Sequence, residues 1–168
     1  KKVIQLNPKV AAAHKHLAVL YLDSRLFDYA KDEFEQAVAL EPENPYIMYE
    51  YGNYFQMTGD AKKADELYES VLDSIALPAS ILLNIALNKL SRNEIDRAQE
   101  ILEKAIEIDP DNTSCHVNLA FAYQELDKNE MALEQYKVAF SQMPNLHSIR
   151  MDYANLLADM GKNNEGSS

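Results

Sequence analysis

Tryptophan is absent and cysteine occurs once, at Cys115, in a chain of 168 residues. One thiol cannot build an internal disulfide framework, so the fold must be held by packing, and a single thiol is compatible with a reducing compartment. There is no Gly-rich phosphate loop, no HExxH and no paired-cysteine motif, and nothing marks two of the acidic residues as an acid–base pair. These absences exclude the common catalytic and metal signatures, so neither enzyme activity nor a cofactor nor a metal site is expected. No apolar run approaches the roughly 18–20 residues of a membrane span. Positive charge is also short: 16 Lys and Arg stand against 27 Asp and Glu, a net charge of −11. Duplex nucleic acid would be repelled at long range, while neutral or basic protein partners are favoured kinetically. An acidic solvated surface also serves solubility. The chain opens Lys1-Lys2-Val3-Ile4, with no secretory pattern and no initiator methionine, which leads to the expectation of a processed chain or an excerpt of a longer one. The cytoplasm is the expected compartment, with the bacterial periplasm or envelope as the alternative.

Against these absences stands a period of thirty-four. Small residues fall at Ala18, Gly52, Ala86, Ala120 and Ala154, and a second series at Ala30, Ala64, Ala98 and Ala132. Prolines fall at Pro8, Pro42, Pro110 and Pro144 in the same register. Stacked supersecondary units need such a repeat, because each must present the same face to its neighbour. The register gives one array over 1–161: the end of a preceding unit at 1–10, full repeats at 11–44, 45–78, 79–112 and 113–146, and a first helix at 147–161. Residues 162–168 are expected to be a disordered tail.

Apolar spacing within each repeat is helical rather than alternating, as in Val117, Leu119, Ala120, Tyr123 and Leu126. The breaks at Gly59-Asp60, Arg92-Asn93 and Asp127-Lys128-Asn129 are short, so two antiparallel helices per repeat follow. Asn44, followed by Pro45, and Asn112 are expected to cap helix starts, and Pro42 and Pro110 to end the helices before them. The small series marks close helix crossings. Leu17, Tyr51, Ile85, Leu119 and Tyr153 fill the seam in one column and Phe34, Tyr68, Leu102 and Tyr136 in another.

These residues resemble the tetratricopeptide repeat family. The repeat at 11–44 carries Leu17, Ala18, Tyr21, Ala30, Phe34, Ala37 and Pro42, and that at 113–146 carries Leu119, Ala120, Tyr123, Ala132, Tyr136, Ala139 and Pro144. The chain departs from the family where Trp is common, having His14, Met48, Leu82, His116 and Arg150, and at Lys89, which replaces an aromatic residue and is expected to loosen local packing. The resemblance implies an all-α, right-handed superhelical solenoid of antiparallel helix pairs, and a protein-binding scaffold without catalytic activity. It also implies a concave groove lined by the second, fifth, sixth, ninth, twelfth and thirteenth positions of each repeat. Carried onto this chain, the expected groove residues are Lys15, Val19, Tyr49, Asn53, Leu83, Asn84, Leu87, Val117, Asn118, Phe121, Met151 and Asn155. Asparagine can pair with a peptide backbone of any sequence, and the apolar residues can receive side chains. The cations of a carboxylate clamp are missing: Lys15, Val19, Glu50, Leu83 and Leu87 occupy one frame, Tyr49, Asn53, Asn84, Val117 and Phe121 the next.

His14 and His16 point to different helix faces, and His116 shares the repeat position of His14. A structural role is therefore expected for His14 and His116 rather than metal ligation. The expected function is groove recognition of a peptide or partner segment. The alternative is an assembly segment that stacks on further repeats or on a second copy through apolar ends: Val3, Ile4 and Leu6 at one, Ile149, Tyr153, Leu156, Leu157 and Met160 at the other. Ala13-His14, Leu17-Ala18-Val19 and Tyr51-Gly52 resemble bacterial envelope lipoproteins of type IV pilus assembly.

Overall fold

In the computed structural model, residues 10–74, 77–145 and 147–165 are described, with side chains as far as residue 161. The helix end expected at 1–10 lies almost wholly outside the described residues. Two compact units divide the chain at Leu77 and Pro78. The first contains α1 (Ala11–Asp23), α2 (Phe27–Leu40), α3 (Pro45–Thr58) and α4 (Ala61–Val71). The second contains α5 (Ala79–Ser91), α6 (Ile95–Ile108), α7 (Thr113–Glu125), α8 (Asn129–Gln142) and α9 (His147–Glu165). All regular structure among the described residues is helical. α9 runs past residue 161 to Glu165. No proline interrupts that stretch, and a Cβ on Gly161 would meet nothing within 4 Å.

Local chemistry sets the helix ends. Asn44 Oδ1 accepts from the amides of Tyr46 and Ile47 at 3.0 and 3.3 Å, and Pro45 takes the first helical position. Asn112 Oδ1 accepts from the Cys115 amide at 3.2 Å, and Asp60 Oδ1 from the Lys63 amide at 3.2 Å. Each cap satisfies an amide that the helix cannot pair internally. α2 and α6 stop at Leu40 and Ile108, just before the residues that precede Pro42 and Pro110.

The turns inside the helix pairs repeat as strictly as the small residues do. Arg25, Gly59, Asn93 and Asp127 all adopt positive φ, at 57°, 88°, 61° and 56°. After each, an amide reaches back to a carbonyl five residues earlier: Leu26 to Tyr21, Asp60 to Phe55, Glu94 to Lys89 and Lys128 to Tyr123, at 2.8–3.0 Å. This left-handed closure satisfies carbonyls that the helix end leaves open. Only Gly59 adopts it without a Cβ penalty.

Each first helix crosses its second at the small residues. Ala18, Gly52, Ala86 and Ala120 are buried, as are Ala30, Ala64, Ala98 and Ala132 opposite them. Phe34, Tyr68, Leu102 and Tyr136 fill the seam and are also buried. In the first unit the packing is aromatic: Phe34 stacks on Tyr51 at 5.3 Å between centroids, and Tyr51 meets Phe55 at 4.6 Å. Lys89 does not loosen its repeat. Its side chain is buried in place of an aromatic ring, with Nζ 3.2 Å from Glu94 Oε2, while Glu94 Oε1 also takes the Arg92 guanidinium at 2.9 Å. A buried ammonium paired with a carboxylate is tolerated where an unpaired one would not be.

Gly52 is the tightest of these crossings, since a Cβ there would lie 2.6 Å from Tyr68 Cε1. The Tyr68 ring cannot swing clear without breaking its hydroxyl's hydrogen bond to Asn53 Oδ1 at 2.8 Å. Gly52→Ala should therefore cost about 1–3 kcal/mol, read as a lower urea midpoint at constant slope. Gly161→Ala, with open space around it, should leave the midpoint unchanged.

Candidate functional site

The expected groove positions lie on the first helices of the pairs. In the first unit these are α1 and α3, which touch each other. Lys15 and Val19 are half-buried, Val19 packing against the core of Ala18, Leu22, Ala30, Phe34 and Tyr54. Tyr49 is only 8% exposed, with its ring 6.0 Å from that of Tyr68. Asn53 accepts from the Tyr68 hydroxyl, and its Nδ2 donates to Glu50 Oε2 at 3.1 Å. Burial keeps that hydroxyl protonated, raising its pKa well above the usual tyrosine value. Both ends of the Asn53 amide are thus engaged inside the protein. Tyr49 thus packs within the first unit, and Asn53 fixes Tyr68. The exposed apolar residues at groove-type positions of α3 are Tyr46, second in its repeat, and Met57, thirteenth.

In the second unit, α5 and α7 touch. Leu87 is 41% exposed and Phe121 43% exposed, at the same ninth position on the two helices. Leu83 and Val117, at fifth positions, are half-buried beneath that surface. Asn84 is exposed; Asn118 is half-buried, with its Nδ2 donating to the Ser114 carbonyl at 2.8 Å. Met151 and Asn155 on α9 are exposed. Apolar residues facing water beside amides suit recognition of a segment with apolar side chains, and they present no nucleophile or general base.

The histidines at fourth positions pin helix pairs together. His14 Nδ1 lies 2.6 Å from Glu33 Oε2, and His116 Nδ1 lies 2.7 Å from Gln135 Oε1, each nineteen residues along the chain. His116 Nε2 also donates to the Pro110 carbonyl at 2.8 Å, so both of its ring nitrogens are engaged. Among the described residues, no three or more His, Cys, Asp or Glu side chains group to hold a metal ion. Cys115 is fully buried, and burial with the nearby Asp109 charge pushes its thiol up to about 11. One further concavity, of about 340 Å³, lies in the first unit and is lined by Met48, Tyr51, Phe55, Lys63, Glu66, Leu67 and Ser70. No helix among the described residues is long and apolar enough to cross a membrane.

Residues 79–112 and 101–134 each match a family profile described as tetratricopeptide repeat. Anaphase-promoting complex subunit 3 of Schizosaccharomyces pombe is 23% identical over 141 residues, covering 84% of this chain and 21% of that protein. Type IV pilus assembly protein PilF of Pseudomonas aeruginosa is 24% identical over 148 residues, covering 84% of this chain and 57% of that protein. The chain thus spans only part of both relatives. Among solved structures, YrrB, described as a TPR protein with an unusual peptide-binding site, superposes with a TM-score of 0.80 at 17% identity over 95% of this chain and 82% of that one. MamA superposes with a TM-score of 0.78 at 15% identity over 92% and 85%.

The two kinds of aromatic position should separate in a denaturation experiment. Tyr49→Ala should cost about 3–5 kcal/mol, as a buried ring does, whereas Phe121→Ala and Leu87→Ala should stay within about 0.5 kcal/mol of the parent protein. The Cys115 thiol should resist iodoacetamide at pH 8 in the native protein and label fully in concentrated urea, read by intact mass.

Proposed function

The chain is a tetratricopeptide-repeat array, and we propose that it binds a peptide or partner segment along the first helices of its repeats. Arrays of this fold are protein–protein interaction scaffolds and are generally not enzymes. The reading rests on Leu87 and Phe121, two apolar side chains that face water at the same repeat position of touching helices. Binding would cover them, and Asn84 and Asn118 beside them would supply amide groups to a peptide backbone.

The partner's chemistry follows from the charges nearby. At the groove-type positions of α5, α7 and α9 the charged residues are Glu125, Asp152 and Asp159, with no lysine or arginine among them. A neutral or basic segment carrying apolar side chains suits that surface, and an acidic one does not. The array itself takes no part in catalysis on this reading. A second reading, an assembly segment, draws support from the likeness to a pilus assembly protein. Light scattering over a range of concentrations would favour it by a rising mass.

A peptide-display selection tests the groove reading, counter-screened with a variant carrying Asn84→Ala, Asn118→Ala and Phe121→Ala. Selected peptides should carry apolar side chains beside Lys or Arg and lose roughly tenfold or more in affinity for the variant. Equal retention by the variant, or an empty selection, refutes groove recognition.

A further inference from the structure

The repeat at 45–78 leaves open a place that the other repeats close. In the first and last full repeats the fourth position, on the first helix, meets the twenty-third, on the second. His14 lies 2.6 Å from Glu33, and His116 lies 2.7 Å from Gln135. At 79–112 the same positions hold Leu82 and Ile101, and both are buried. At 45–78 they hold Met48 and Leu67, and both are only half-buried. These two line the concavity of about 340 Å³, together with the rings of Tyr51 and Phe55. Lys63, Glu66 and Ser70 form its exposed rim. The concavity lies within a complete helix pair, α3 and α4, and α2 packs on α3 ahead of it, so it belongs to an interior repeat.

The walls favour an aromatic guest. Tyr51 and Phe55 lie 4.6 Å apart between centroids and offer ring faces and edges. Burial, with the nearby Glu35 charge, pushes the Tyr51 hydroxyl up to about 12, so that wall stays uncharged at neutral pH. Met48 supplies a thioether, which packs favourably on aromatic rings. Lys63 Nζ lies 5.1 Å from the Phe55 centroid, held by Asp60 Oδ2 at 3.2 Å, and an ammonium at the mouth attracts the face of an entering ring. Glu66 on the rim offers a carboxylate to an N–H donor. An indole matches this set, with a π face on each side and an N–H at its edge. The repeat at 11–44 completes a related arrangement with its own residues: Tyr29, nineteenth, brings its ring to 5.4 Å from that of Tyr21, eleventh. At 45–78 the eleventh residue is Phe55, and the nineteenth is Lys63, a cation instead of a ring.

We propose that the pocket between α3 and α4 receives a tryptophan side chain of a partner protein. Its volume is at the small end of ligand pockets and suits one large side chain better than a drug-sized molecule. The Ser70 hydroxyl and the Glu66 carboxylate at the mouth suit the peptide groups that carry such a side chain. The pocket uses none of the expected groove residues, and it stands or falls independently of groove recognition.

The probe is N-acetyl-L-tryptophanamide, which presents the side chain between two peptide groups. The chain contains no tryptophan, so every indole signal in saturation-transfer NMR belongs to the probe. Saturable transfer with a Kd on the order of 1 mM is expected. N-acetyl-L-leucinamide should compete about two- to tenfold more weakly. Lys63→Tyr should supply a ring from the chain itself, as Tyr29 does, and weaken the probe roughly tenfold or more without lowering the melting temperature, because Lys63 is exposed. Lys63→Ala removes the same charge without filling the pocket and should weaken the probe only about two- to fivefold. Phe121→Ala should leave probe affinity within about twofold. The proposal is overturned if transfer does not saturate, if Lys63→Tyr binds as tightly as the parent protein, or if Phe121→Ala abolishes binding and so places the probe in the groove. It is likewise overturned if free indole binds roughly tenfold more tightly than the probe, since the pocket then serves a free aromatic molecule.

Discussion

Everything else in this protein depends on how closely two helix backbones approach within a pair. At Gly52 the approach is so close that even a methyl group would collide with the Tyr68 ring. At Ala18, Ala86 and Ala120 the methyl group just fits, and each is fully buried. Close approach lets one large side chain per pair, Phe34, Tyr68, Leu102 or Tyr136, fill the seam. A narrow seam also suits the short connections, because only a tight left-handed closure reverses the chain within that spacing. At the ninth positions of α5 and α7, Leu87 and Phe121 stay exposed to solvent.

Polar groups inside the pairs follow the same geometry. A side chain at the fourth position of a first helix meets one nineteen residues later, which is why His14 finds Glu33 and His116 finds Gln135. Both imidazoles work as cross-helix ties. Lys89 shows the complementary case. Its ammonium lies where Tyr21, Phe55 and Tyr123 put rings in the other repeats, and it is made tolerable by Glu94 at the start of the next helix. The substitution keeps the packing because the charge is paired where it is buried.

The left-handed turn was visible in the sequence at one of its four positions. Gly59 announces a positive φ, whereas Arg25, Asn93 and Asp127 do not, yet all four take it. The closure is imposed by the antiparallel packing of the helices on either side, which outweighs the roughly 1–2 kcal/mol that a Cβ costs there. At the expected groove positions the burial varies. Leu87 and Phe121 face water. Tyr49 occupies an equally favourable position and is buried, because the glycine three residues on lets Tyr68 come close enough to meet it. Asn53 is held by the hydroxyl of that same ring.

The sequence by itself determined the all-α class, the helix pairs, the caps at Asn44 and Asn112 and the helix crossings. These are local or periodic properties: a capping side chain, a proline or a small residue acts within a few positions or recurs at a constant interval. Tertiary structure alone decided which polar groups are engaged and which apolar residues remain open to solvent. Those outcomes depend on the side chain that happens to lie across the seam, and no periodicity in the chain specifies that partner's size or reach.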